Sequence, residues 1–349
     1  MKKSFFLSVL VLMFFAGALY SAPNFGGYVR NRFITFSDGS YSFRFDELAL
    51  WADEDLADNI SARVGFLFYG NAYFIEHGYV QFSGLPLGGK LIVGQTRNHC
   101  FGLMPAKSNR ITSNYGLVSE MFTHDRVFGV QYLAEAADKI SVNLGIFNGY
   151  MVGTRTLGDN GPAAVAVMAD RETALSGFRA ADINNNKQMS ARVGYEAAKG
   201  VNVGLSGSFS KLAPTEKDAS LDIIPDSNDN KIRAGVDIKY RVAPLVFQGE
   251  FYLGRTSNLT HLGYSALVGY VFNSKLSAYA RYGAVNLNVT PAAANQRTWD
   301  LNQVTLTSMY KLSKRVILQA EYEINMESVP AGASAVDNDV AFLEIKTVY

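Results

Sequence analysis

The chain has 349 residues, 48% hydrophobic and 18% charged, with 32 basic against 31 acidic side chains. Near-neutrality excludes a nucleic-acid partner, which needs a concentrated basic surface, and the hydrophobic share excludes disorder. The single Cys100 excludes a disulfide scaffold, and 23 Phe, 19 Tyr and 31 Gly against 9 Pro point away from an ordinary soluble domain.

The first residues read as an export signal. Lys2 and Lys3 form a positive start, Phe5 to Phe15 is apolar apart from Ser8, and small residues follow at Ala16, Gly17 and Ala18. The run is too short for a spanning helix, which needs about 20 apolar residues. Residues 1–22 are expected to be removed, with cleavage between 18 and 22, leaving 23–349 as one domain. Without the two lysines the mature chain carries 30 basic and 31 acidic residues (32 minus 2 against 31).

From residue 25 onward the hydrophobic period is 2. Ile60, Ala62, Val64, Phe66 and Phe68 alternate with Ser61, Arg63 and Gly65, and Met189, Ala191, Val193 and Tyr195 with Arg192 and Glu196. In Ile232 to Tyr240 one face is apolar and the other carries Arg233, Asp237 and Lys239. The same reading puts Glu250, Arg281, Glu321 and Glu323 on the polar faces of later strands. Sixteen strands result, at 25–36, 41–52, 60–69, 72–82, 90–98, 126–133, 139–149, 188–196, 201–210, 231–240, 245–254, 261–272, 276–286, 299–310, 316–326 and 339–349. Most exceed the length of about 5 to 6 residues usual in soluble proteins and fit the roughly 9 to 11 of a tilted membrane strand. All nine prolines fall outside them.

Every second connection is tight, as at 84–89, 241–244, 273–275 and 311–315, while the intervening ones at 99–125, 151–187, 211–229, 286–298 and 327–338 are long. Alternation alone leaves two architectures open: a soluble sandwich that buries the apolar face, or a barrel that turns it to lipid. The export signal, the strand lengths, the loop asymmetry and a last strand ending on Tyr349 favour the barrel. The fold class expected is therefore all-β, a 16-stranded antiparallel transmembrane β-barrel too wide for side chains to fill and so enclosing water. Its partners would be outer-membrane lipids and lipopolysaccharide, and the barrel-insertion machinery would engage the C-terminal strand. The location follows: the outer membrane of a Gram-negative cell.

Four stretches carry a family resemblance: Gly94 to Gly102, Gly145 to Gly149, Gly235 to Tyr240 and Ala280 to Tyr282. Through them the mature chain resembles the sixteen-stranded trimeric porins, and more narrowly the phosphate-selective porin O and P family. Cys100 stands where that family often has Pro before its Phe-Gly pair. The resemblance implies a homotrimer and a loop after the fifth strand that folds inward and constricts the pore. Here that loop is 99–125, and the candidate constriction residues are Arg97, Lys107, Arg110, Tyr115, Glu120 and Arg126. From 97 to 126 there are four basic residues and two acidic ones, a local excess that predicts weak anion preference. The candidate pore-lining residues are Arg63, Arg192, Arg233, Asp237, Lys239, Glu250, Arg281, Glu321 and Glu323; paired across the wall they would stiffen it without selecting anything. No dense run of Lys or Arg of the kind a phosphate relay needs is present.

Other chemistry finds little support. The histidines at 77, 99, 124 and 261 lack zinc-ligand spacing, no nucleophile elbow occurs, and neither an enzyme nor a cofactor or metal is expected. Asp222, Asp226 and Asp229 form an acidic loop cluster. The function expected is a water-filled channel for passive diffusion of small hydrophilic solutes. The alternative is a surface binding or adhesion protein acting through the loops at 151–187 and 211–229.

Overall fold

A computed structural model describes residues 23–37, 39–69, 72–103, 110–123, 126–148, 150–157, 165–172, 187–211, 230–256, 259–289, 300–328 and 337–349. The strands are β1 (Asn24–Phe36), β2 (Tyr41–Ala57), β3 (Ile60–Tyr69), β4 (Ala72–Leu85), β5 (Gly89–Arg97), β6 (Arg126–Ala137), β7 (Ile140–Phe147), β8 (Tyr150–Leu157) and β9 (Val165–Glu172). After them come β10 (Gln188–Ala198), β11 (Val201–Lys211), β12 (Asn230–Val242), β13 (Leu245–Thr256), β14 (Leu259–Val271), β15 (Leu276–Val289), β16 (Asp300–Lys311), β17 (Val316–Ser328) and β18 (Val340–Val348). One short helix, α1 (Leu117–Phe122), lies between β5 and β6.

Sixteen of these strands form one closed antiparallel barrel. All sixteen expected from the alternation are present, and β18 closes onto β1 with Tyr28 opposite Val348 and Phe36 opposite Val340. β8 and β9 pair only with each other. They form a hairpin inside the connection from β7 to β10, which the sequence reading treats as a loop. Each is 8 residues long, and their runs through Gly153, Thr154 and Arg155 or Ala169, Asp170 and Arg171 lack a sustained apolar face.

Which face is the interior is decided by exposure. Along β12, Lys231, Arg233 and Asp237 are buried while Ile232 and Val236 are exposed. Leu205, Leu253, Leu306, Leu343 and Ile345 are likewise exposed, and Thr305, Glu321, Glu323 and Glu344 buried. A soluble sandwich would show the reverse. Polar groups surround the lumen and apolar side chains form the outer band, so the outer band has only lipid to face. Outward tyrosines near the middle of β15 and β17 find polar partners: Tyr282 donates to Asn302 Oδ1 at 2.7 Å and Tyr322 to Asp339 Oδ2 at 3.4 Å, which satisfies both phenols on an otherwise apolar face.

Candidate pore and its inner loop

The connection between β5 and β6 is built into the barrel by three sets of contacts. It starts at Cys100, which is buried beside Val127 and Phe147 and whose thiol donates to Gln131 Oε1 at 3.6 Å. Gly102 then turns with φ 63°, a conformation that glycine adopts without strain. Its N–H donates to Ser206 Oγ at 3.3 Å, and the Leu103 N–H donates to Glu250 Oε1 at 3.3 Å. Residues 104–109, Lys107 among them, lie outside the described residues, as do His124, Asp125 and the cluster Asp222, Asp226 and Asp229.

The second set holds residues 112–114 against β1, β15, β17 and β18. The Ser113 N–H donates to Glu321 Oε2 at 2.8 Å and Ser113 Oγ to Glu344 Oε2 at 2.7 Å, while the Ser113 carbonyl accepts from Arg30 Nη1 at 2.8 Å. Asn114 Nδ2 donates to both oxygens of Glu323 at 3.1 Å. Arg281 donates to Thr112 Oγ1 at 2.6 Å and to the Asn114 carbonyl at 3.1 Å.

The third set is apolar. Leu117, Val118, Met121 and Phe122 of α1 pack with Phe101, Tyr252, Val285, Leu287 and Leu301. Phe122 stacks on Tyr252 with ring centroids 5.5 Å apart, and the Phe122 carbonyl accepts from Arg233 Nη1 at 2.8 Å. In the barrel order β15 and β16 stand opposite β5 and β6, so the connection reaches across the lumen to the far wall. An apolar cluster inside an otherwise polar lumen is what a six-residue helix needs, because so short a helix has too little intrinsic stability to hold itself.

The candidate constriction residues separate into two groups. Arg97 and Arg126 face each other at the ends of β5 and β6, where Arg126 Nη2 pairs with Glu76 Oε1 at 3.2 Å. Among the described residues Arg97 makes no ion pair, and its backbone carbonyl accepts from Gln131 Nε2 at 2.8 Å. Arg110 and Tyr115 sit together on the inner loop. The Arg110 guanidinium lies 4.7 Å from the centroid of the Tyr115 ring, its Nε donates to the Thr112 carbonyl at 2.9 Å, and burial pushes the Tyr115 phenol up. Glu120 lies in the first turn of α1.

Most of the candidate wall residues are engaged. Arg192 pairs with Asp237 through two bonds at 2.5 and 3.0 Å, and Arg63 pairs with Asp53 at 2.5 Å. Arg233 donates to Ser208 Oγ at 3.2 Å and lies over Phe101. Glu250 accepts from Tyr252 at 2.6 Å and from Ser119 and Ser265 at 3.3 Å. Arg281 and Glu323 approach to 3.9 Å. Lys239 has no such partner among the described residues and borders a cavity of about 590 Å³ beneath the inner loop.

Sequence reasoning missed a cluster on β1, β2 and β18. Arg30 pairs with Asp46 at 2.5 Å and Glu47 at 3.3 Å, Arg32 pairs with Glu344 at 3.0 Å, and Tyr28 donates to Glu47. The signal was available: Tyr28, Arg30 and Arg32 alternate along β1, as do Glu344 and Lys346 along β18.

A closed barrel of sixteen strands with apolar side chains outside, charged ones inside and a loop laid across the lumen is a membrane pore. Residues 8–326 match the family model described as Gram-negative porin, so the chain belongs to the Gram-negative porin family. It is an outer-membrane channel for passive diffusion, and the family and fold point to a channel rather than an enzyme.

Solved structures show the same fold at low identity. The outer membrane channel DcaP of Acinetobacter baumannii is 14% identical with a TM-score of 0.65, covering 94% of this chain and 97% of that one. OmpT of Vibrio cholerae in its trimer form is 15% identical with a TM-score of 0.61, covering 94% and 99%. An anion-selective porin from Comamonas acidovorans is 12% identical with a TM-score of 0.58, covering 94% and 99%. No curated protein matches the chain significantly.

Proposed function

We propose that this porin passes small hydrophilic solutes and ions with a weak preference for anions, that the connection between β5 and β6 is its constriction, and that it works as a homotrimer. Removal of residues 1–22 as an export signal completes the reading, with lipid and lipopolysaccharide around the outer band. The observation that carries the anion preference is the charge lining the cavity beneath the inner loop. Arg110 and Arg281 border it above, and Lys239, Arg241, Lys275, Lys311 and Lys346 below, against Glu250 alone among the described acidic residues. Elsewhere several wall charges are matched by partners, as in Arg192 with Asp237 and Arg126 with Glu76. Walls of low dielectric focus a local excess of this kind on whatever passes.

The trimer draws support from the trimer form of the Vibrio cholerae neighbour, and the anion preference from the anion-selective Comamonas acidovorans neighbour. The narrower phosphate-selective reading gains no such support, since the basic residues come from separate strands and turns rather than from a closely spaced run.

The test is reconstitution in a planar bilayer under a potassium chloride gradient. Stepwise conductance with a reversal potential of anionic sign is expected. A cationic sign would overturn the preference, and a folded barrel with no conductance would shift the reading to the surface-binding alternative.

A further inference from the structure

The cations beneath the inner loop fall into two tiers along the pore axis. Arg110 and Arg281 form the upper tier at the loop itself, where Arg281 is bonded to Thr112 and Asn114. The lower tier lies at the short-turn rim: Lys275 in the turn between β14 and β15, Lys311 at the end of β16, and Lys239 and Arg241 near the end of β12. Lys275 and Arg281 are six positions apart on one chain segment, about 20 Å along an extended strand. A charge separation of that size exceeds the screening length of about 8 Å at physiological salt. Lys275 and Arg281 therefore act on a passing ion one after the other, and Lys239, in register with Arg281 through Gln248 and Leu267, stands between the two levels.

The lower tier is poised for a ligand. Among the described residues Lys239, Arg241, Lys275 and Lys311 make no ion pair with a carboxylate, in contrast to the paired arginines of the wall. The nearby Glu250 is occupied by Tyr252, Ser119, Ser265 and Leu103. The acidic residues of the same rim lie outside the β12 to β16 arc in the barrel order: Asp53, Glu54, Asp55 and Asp58 at the end of β2 and in its turn, Glu135 and Asp138 at the β6–β7 turn, and Glu196 near the end of β10. The result is a basic arc on one side of the mouth, its cations on separate strands, opening into the cavity below the constriction.

We propose that this arc is a docking site for small multivalent anions, di- and tricarboxylates or sulfate, entered from the short-turn side without crossing the constriction. It rests on the anion-preferring reading and adds to it a ligand class and a direction. Spaced cations reward an anion with several charges more than they reward chloride, because each added contact is made within the same bound complex. On the orientation rule for such barrels the short-turn side is the periplasmic one.

The experiment is block of single-channel potassium chloride current by citrate, with sulfate as the compact comparison, added to each side in turn. Lys314→Cys, on the turn between β16 and β17, is biotinylated and capped with streptavidin to mark the short-turn side. Citrate on that side is expected to block at a concentration about tenfold lower than on the other side, the scale on which a focused field raises local ion concentration. Lys239→Gln/Lys275→Gln/Lys311→Gln should abolish the difference, and the matching triple Lys→Arg variant should keep it. Lys275→Gln alone, in an exposed turn, weakens the block part-way and guards against misfolding of the triple variant. Equal block from both sides, or side-specific block unchanged in the glutamine variants, would overturn the proposal. A cationic reversal potential in plain potassium chloride would instead overturn the anion preference, and the two readouts are independent.

Discussion

Ser113 Oγ donates a hydrogen bond to Glu344 Oε2 at 2.7 Å, tying the inner loop to the last strand of the barrel. The same carboxylate oxygen accepts from Arg32 Nε at 3.0 Å. Glu344→Ala therefore strips a partner from a buried arginine and from the loop at once. Removing one member of a buried pair costs roughly 3–5 kcal/mol, and Asp46, 3.5 Å from Arg32, keeps the effect near the lower end. A lower temperature for the folded-to-unfolded mobility shift in detergent gels is expected, with noisier open-channel current. Glu344→Gln, which retains an acceptor, should lose less.

Arg110 carries the clearest unmatched charge on the described part of the loop. Arg110→Glu reverses it beside the cavity, and the reversal potential under a salt gradient should move toward cations. An unchanged potential would remove the loop from the selectivity argument.

Gly116 has φ 89° and ψ 159° at the N-terminal boundary of α1, a conformation essentially restricted to glycine. A methyl group there would also collide with the Arg281 guanidinium. Gly116→Ala should cost about 1–3 kcal/mol in loop docking. Limited proteolysis checks this, with faster cleavage at Arg110 than in the wild type.

His99 reports on loop packing. Its N–H donates to Gln131 Oε1 at 2.8 Å and its carbonyl accepts from Asn143 Nδ2 at 2.9 Å. Burial, and then the positive charge of Arg97, pull the imidazole down from 6.5 to about 4. Because the folded value lies below the unfolded one, the unfolded chain binds the proton first as pH falls. The stability this residue contributes is whole above 6.5 and is lost between about 6.5 and 4. Difference curves between wild type and His99→Gln, from thermal unfolding at stepped pH, should fall within that window. Identical pH profiles would contradict it.

Val236 lies at the middle of β12 on the outer band. Val236→Arg places a charge near the bilayer midplane and should destabilise the barrel in lipid vesicles by about 2–4 kcal/mol, read by guanidinium unfolding.

The sixteen barrel strands were legible because a period of 2 is a local property: Ile232, Ala234, Val236 and Ile238 alternate with Arg233, Gly235 and Asp237 whatever the rest of the chain does. The inward positions of Arg192, Asp237, Glu321 and Glu323 follow from the same rule. Arg30, Arg32 and Glu344 obey it too, but their pairing joins the first and last strands and exists only once the barrel closes. The β8–β9 hairpin was not legible, having neither the length nor a continuous apolar face.

Sequence by itself determined the strand set, the tight and long connections and the identity of the charges, since each depends on neighbours in the chain. Only the tertiary structure decided which charges cancel and which remain. Pairing of Arg32 with Glu344, or Arg192 with Asp237, depends on strands brought together by closure of the barrel. The same holds for the loop. Ser113 and Asn114 look like ordinary loop residues until the barrel places Glu321, Glu323 and Glu344 on the wall opposite, where hydrogen bonds to charged partners hold the segment across the lumen.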